Sequence, residues 1–176
     1  MTRIFIYLDF QKAFDQIDLY VLLDKLQIMD FTINFIELIG SYLFDSKNFV
    51  KFHNSISHPT IPTSGVPQGS NLGPLLFLIF INDIVDVVDC EMLIYADDIK
   101  IFTSVDSIHD CVYLQTNLLK IIQWCTLNKL HLNTNKCNVV RYTRKALPIL
   151  YKYSIGSTEL SVSHSISDLG IVFDVG

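Results

Sequence analysis

Three aspartates stand where the surrounding sequence asks for apolar residues. The run from Arg3 to Phe10 (RIFIYLDF) is β-branched, aromatic and almost continuously apolar, yet it carries Asp9 near its end. That composition predicts a buried strand. Met92 to Tyr95 and Ile99 to Thr103 are two more short apolar runs, separated by Ala96-Asp97-Asp98. They predict a β-hairpin with carboxylates at its tip. A buried or half-buried carboxylate is costly unless it is paired or binds a cation. If the first strand and the hairpin lie side by side, three carboxylates converge on one edge of a sheet. Hard oxygen donors at that density suit Mg²⁺ or Mn²⁺. Taken singly, an aspartate at a strand end or a hairpin tip is ordinary turn chemistry, so the weight lies on the combination. Successive strand side chains face opposite ways. Asp97 and Asp98 can therefore share one site only because the chain turns there.

The rest of the chain supplies helices to back such a sheet. Asp15 and Asp18 offer caps for a helix over about Leu19 to Met29, and a second helix is expected over Ile33 to Phe44. Asn48 to His53 alternates and reads as a strand. Pro59 to Ser70 is rich in Pro, Ser, Thr and Gly and reads as a loop. A core helix is expected from Leu72–Pro74 to about Val85, and Ser107 with Asp110 fits a capping box. That box opens an amphipathic helix with Cys111, Leu114, Leu118, Ile121, Ile122 and Cys125 on its apolar stripe. Val139 to Tyr142 and Ile166 to Phe173 read as further strands. The order β α α β α β β α β β predicts an α+β fold, an antiparallel sheet backed by helices. A ferredoxin-like or split βαβ core is the leading architecture.

Composition narrows the class. Half of the 176 residues are apolar and only 18% are charged, with a mean hydropathy of +0.36. This excludes disorder and low-complexity scaffolds and suggests an apolar surface meant to be covered. The most apolar stretch, Leu72 to Ile81, is too short for a membrane span, and the N-terminal run does not resemble a signal peptide. The cysteines Cys90, Cys111, Cys125 and Cys137 have no metal-binding spacing and read as buried free thiols. The net charge of −5 argues against a generally basic nucleic-acid surface. Its distribution is uneven. Between Cys111 and Thr158 there is no Asp or Glu, but Lys120, Lys129, Lys136, Arg141, Arg144, Lys145 and Lys152 are all present. A basic flank beside an acidic centre suits a metal site next to a polyanion, and equally a plain solvated face.

LDFQKAFDQI (8–17), SGVPQGSNLGPLLFLIFINDI (64–84) and YADD (95–98) resemble, in this order, the A, B and C motifs of reverse transcriptases, nearest to non-LTR retrotransposon enzymes of the jockey and CR1 kind. LNTNKCNVVRYTRK (132–145) resembles their D motif, and SDLGIVFD (167–174) their E motif, the primer grip. The resemblance implies a polymerase palm with part of the fingers, acting as an RNA-directed DNA polymerase. Its partners would be an RNA template, a DNA primer or target, and dNTP, with no membrane. It implies two Mg²⁺ ions, with Mn²⁺ as a substitute, on Asp9, Asp97 and Asp98, and of the YADD pair it makes Asp97 the more indispensable. The Phe10 carbonyl would be an extra ligand. Phe14 would lie under the nucleotide sugar and exclude a 2′-hydroxyl. Gln68 and Gly69 would line the nucleotide pocket, and Lys136 would approach the leaving pyrophosphate. Tyr95 would pack near the primer end, with Leu169 and Gly170 in the primer grip.

The same resemblance leads us to expect a fingers region upstream, a thumb downstream and an endonuclease, all absent from residues 1–176. The position just before Asp168-Leu169-Gly170, often basic in the family, is Ser167. Poor solubility and low activity of the chain alone are expected from the apolar surfaces left uncovered. Two other readings compete. One is an inactive remnant or domesticated palm serving as a nucleic-acid or protein interaction module, binding through residues 120–152 without Mg²⁺. The other is a palm-type phosphotransferase such as a nucleotide cyclase, which leaves the 64–70 block unexplained.

Overall fold

The computed structural model describes residues 2–174. In chain order the elements are β1 (Thr2–Leu8), α1 (Leu19–Ile28), α2 (Ile33–Phe44), β2 (Lys51–Phe52), β3 (Ser55–Ile56) and α3 (Leu72–Ile81). There follow β4 (Glu91–Tyr95), β5 (Asp98–Val105), α4 (Ile108–Leu127), β6 (Asn138–Thr143), β7 (Ser154–Ile155), β8 (Thr158–Glu159), β9 (Ser161–Ser163), β10 (Ser165–Asp168) and β11 (Ile171–Asp174). They form two compact units, one from the chain up to Gln11 and from Asp83 onward, the other from Lys12–Asn82.

The first unit is built on a five-stranded sheet in the order β4-β5-β1-β6-β9. All neighbours are antiparallel except β6 and β9. The crossover β5–α4–β6 leaves β1 between its two strands, which is the split βαβ arrangement expected from the element order. The strand period explains which face is buried. Ile4, Ile6 and Leu8 of β1, Ile99 and Ile101 of β5, and Val139 of β6 are all buried. So are Cys111, Leu114, Leu118, Ile121, Trp124 and Cys125 of α4. Each large aliphatic side chain so buried contributes about 1.5–3 kcal/mol. The alternate β1 residues Arg3, Phe5 and Tyr7, and Asp9 just past its end, follow the opposite, open face, where Phe5 stacks on Phe102 at 4.6 Å. Ser107 and Asp110 close a reciprocal capping box at the start of α4, as the sequence predicts.

In the second unit α1 packs on α2 and α3. Asp18 caps α1, accepting hydrogen bonds from the amides of Tyr20 and Val21. Asp15, the other candidate cap, is used elsewhere. Lys25 is buried, and its ammonium donates to the Phe80 carbonyl at 2.8 Å. α3 ends at Ile81 rather than near Val85, and the chain continues as a tight 3₁₀ turn over Asn82–Val87. It is also not wholly a core helix, because Leu75 and Leu78 are about half exposed.

Two strand expectations need correction. Asn48 to His53 is not one strand. Lys51–Phe52 pairs with Ser55–Ile56 in a small hairpin, Asn48 makes a separate bridge to Thr60, and the apolar side chains Phe49, Phe52 and Ile56 are exposed. The alternation was present, but no core face covers it. Ile166 to Phe173 is two strands, β10 and β11, joined by a two-residue turn at Leu169-Gly170. Both turn residues have positive φ, 50° and 81°, the geometry that favours a tight hairpin. Cys111, Cys125 and Cys137 are buried thiols, whereas Cys90 is half-buried. No helix among the described residues is long and apolar enough to cross a membrane.

Candidate active site

The registers of the sheet assemble the site. β1 pairs with β5 through Leu8↔Ile99. Extending that register by one residue sets Asp9 opposite Asp98. β4 and β5 close at Tyr95↔Asp98, so Ala96 and Asp97 form the turn itself. Ala96 has φ 51°, a left-handed conformation that costs an L side chain about 1–2 kcal/mol. Such strain is retained at functional turns when the surroundings over-determine it. Ala96→Gly is expected to stabilise the fold by about 0.5–1 kcal/mol, the strain relief less the added freedom of the unfolded chain. Urea unfolding reads this directly, and a loss of stability would show that the alanine is not strained.

Asp9 and Asp98 line a cavity of about 370 Å³ together with Tyr7, Lys100, Asn135, Lys136, Asn138 and Ile166–Asp168. Asp97 lies next to it in the turn. One oxygen of Asp9, Oδ1, is buried without a hydrogen-bond partner. The other, Oδ2, lies 3.6 Å from the Lys136 ammonium. Burial holds the Asp98 carboxyl above its ordinary range, helped by the charges of Asp97 and Asp9, while Lys100 partly offsets the effect. The edge therefore carries more negative charge than its own cations balance. The Asp9 carbonyl accepts from the Asn133 amide at 2.7 Å, and the Asn133 carbonyl accepts from the Lys136 amide at 2.9 Å. The loop bearing Lys136 is thus tied to the strand end bearing Asp9. Phe10 bridges to Leu132, but the bonds of that bridge run through the Asp9 carbonyl and the Gln11 amide, not through the Phe10 carbonyl.

The raised Asp98 carboxyl has a signed consequence. The folded state holds this proton to a higher pH than the unfolded chain does. Stability from this group is therefore greatest at low pH and falls as pH rises through its folded pKa. At pH 7 the ionised Asp98 is a liability. Asp98→Asn is expected to raise the thermal midpoint of the cation-free chain at neutral pH, with a gain that shrinks as the pH is lowered. Equal midpoints at both pH values would contradict this.

Phe14, Gln68 and Gly69 lie in the second unit. Phe14 stacks on Phe77 with ring centroids 4.6 Å apart. Gln68 donates from Nε2 to Asp15 Oδ1 at 2.6 Å. Gly65 and Gly69 both have positive φ, but their roles differ. A Cβ on Gly65 would lie 2.8 Å from the Asp15 Cα and the Phe14 carbonyl oxygen, so its close approach is to its own chain. A Cβ on Gly69 would meet nothing within 4 Å. In the first unit, Tyr95 is 65% exposed at the end of β4, and Leu169 projects from the β10–β11 turn.

The sequence reading missed three residues. Lys100 and Asp168 form an ion pair within the cavity, and the Lys100 ammonium lies 5.4 Å above the Tyr7 ring. Burial, with the charge of Asp168 and the neighbouring Tyr142, pushes the Tyr7 hydroxyl far up. Lys100 could have been suspected as a cation inside an apolar strand; nothing in the sequence pairs it with Asp168. The basic segment also proves less free than its composition implies. Lys120, Lys136, Lys145 and Lys152 each face a carboxylate from outside it, on Asp89, Asp9, Asp106 and Glu159 respectively.

Residues 1–173 match the family model described as reverse transcriptase (RNA-dependent DNA polymerase). This chain belongs to the reverse transcriptase family. It is 30% identical to a probable RNA-directed DNA polymerase from transposon BS of Drosophila melanogaster and 31% identical to that of the mobile element jockey of Drosophila funebris. Each alignment covers 96% of this chain. The chain spans 20% and 19% of those relatives' lengths. These matches agree with the non-LTR retrotransposon character of its motifs. Among solved structures, an apo telomerase from Candida tropicalis superposes with a TM-score of 0.70 at 16% identity, over 99% of this chain and 34% of that one. The shared fold is that of a reverse transcriptase.

Proposed function

We propose that this reverse transcriptase segment is the catalytic palm of an RNA-directed DNA polymerase, with motifs A to E along residues 1–176, transferring dNMP to a primer 3′-hydroxyl on an RNA template. The observation that carries the reading is the Asp9–Asp98 edge, where a buried carboxylate oxygen has no partner and a second carboxyl is raised by burial and by the charges of Asp97 and Asp9. Such an edge fits a divalent cation. Among the described residues no three His, Cys, Asp or Glu form a ready-made cage. Mg²⁺, however, is usually held by one or two carboxylates, with waters and substrate phosphates completing its shell. Asp9 and Asp98, with Asp97 from the turn, would hold one or two such ions. The cation would supply acidification of the primer hydroxyl and neutralisation of the triphosphate.

The protein's own groups then position and compensate. Lys136 is two-thirds exposed and can swing from Asp9 towards a leaving pyrophosphate, as a charge or a proton donor. Asp15 fixes the Gln68 amide by a charge-assisted bond, so that Gln68 and Gly69 present a defined surface to the nucleotide. The Phe14 ring, held by its stack on Phe77, would refuse a 2′-hydroxyl. Tyr95, Leu169 and Gly170 would meet the primer. The Phe10 carbonyl, outside the bridge hydrogen bonds, is a candidate ligand. The template would be read by base pairing, with the protein following the hybrid's shape.

The test is extension of a DNA primer on an RNA template, with dNTP and Mg²⁺, by a full-length relative whose matching segment has been replaced by this chain. Extension is expected. Binding of the hybrid that is indifferent to Mg²⁺, with no extension, would favour an interaction module instead.

A further inference from the structure

The β10–β11 hairpin lies outside the five-stranded sheet and forms a separate two-stranded one. Its outer strand is exposed along its whole length, and Leu169 at its turn is 56% exposed. A hairpin of this size is at best marginal on its own, so something must hold it in place. The Lys100–Asp168 ion pair is the attachment that stands out. The two side chains are only 11% and 15% exposed. Asp168 immediately precedes the turn, while Lys100 lies two residues beyond Asp98 on the same face of β5. Ile166, Ser167 and Asp168 line the same cavity as Asp9 and Asp98. An exposed ion pair contributes little. A shielded one behaves differently, because removing either partner leaves an uncompensated charge.

We infer that Lys100 and Asp168 are positioning residues that latch the β10–β11 turn to the carboxylate edge. The latch sets the distance between the carboxylates and whatever Leu169-Gly170 touches. That the contacted group is the primer end rests on the polymerase reading; the latch itself does not.

Amide hydrogen exchange on the chain separates the two statements. Lys100→Met or Asp168→Asn is expected to speed exchange over residues 165–174 by roughly tenfold or more, with β1 and β6 unchanged. The double variant should be no worse than either single one, since the pair acts as a unit. Lys100→Arg should keep the protection, which guards against a general loss of fold. Unchanged exchange in both single variants, or additive losses in the double, overturns the latch. Adding a recessed-primer RNA–DNA hybrid to the wild-type chain should protect residues 165–174 further. If it does not, the primer assignment falls and the exchange result still decides the latch.

Discussion

Replacing Asp9 by asparagine is expected to reduce primer extension by about three orders of magnitude or more while leaving the first unit folded. The size follows from the role. A carboxylate that holds a catalytic cation stabilises developing charge by several kcal/mol, and each 1.4 kcal/mol is about tenfold in rate. The fold should survive because the Asp9 backbone, not its side chain, ties down the Asn133 loop. The variant is isosteric, and its loss of charge relieves Asp98. Single-nucleotide incorporation in the full-length chimera measures the rate, and circular dichroism checks the fold. An Asp9→Asn protein that extends at the wild-type rate would remove Asp9 from the chemistry.

The second large effect is structural. Gly65→Ala should cost roughly 2–4 kcal/mol, the sum of a left-handed alanine and a Cβ forced into backbone. That is a large share of a typical domain's stability. The Gly65 amide donates to the Ile17 carbonyl, the Val66 amide to the Phe14 carbonyl, and Ser64 Oγ to the Asp15 carbonyl. Residues 64–66 are thus zipped to the turn that carries Phe14 and Asp15, with no room for a side chain at Gly65. Gly69→Ala is the control. It meets the same φ penalty in open space and, less the freedom glycine gives the unfolded chain, should cost only about 0.5–1 kcal/mol. Denaturant unfolding of the two variants gives the difference. Equal losses would mean that the close approach at Gly65 does not matter.

Much of this fold was legible because its signals are local. The strand β1, the Asp18 cap, the Ser107–Asp110 box and the Ala96-Asp97-Asp98 hairpin each lie within a few residues of sequence and are legible there; that β1 buries only alternate residues is not, because its apolar run is almost continuous. What escaped falls into two kinds. β7, β8 and β9 are two or three residues long, too short for any period to register. The hairpin at Leu169-Gly170 was read as one strand, although Gly170 was a turn signal. The second kind is tertiary. Gln68 meets Asp15 across 53 residues and Lys100 meets Asp168 across 68, and side-chain chemistry alone does not choose such partners. The acid-free stretch from Cys111 to Thr158 misled for the same reason, because the carboxylates facing four of its lysines come from outside it.

Whether the edge bearing Asp9 and Asp98 binds a divalent cation can be tested on this chain without primer, template or nucleotide. Mn²⁺ titration followed by electron paramagnetic resonance counts bound ions directly. Bound Mn²⁺ is expected on the wild-type chain, displaced by Mg²⁺, with affinity weakened at least about tenfold in both Asp9→Asn and Asp98→Asn. Binding that is absent from the folded wild-type chain, or identical in all three proteins, would contradict this expectation.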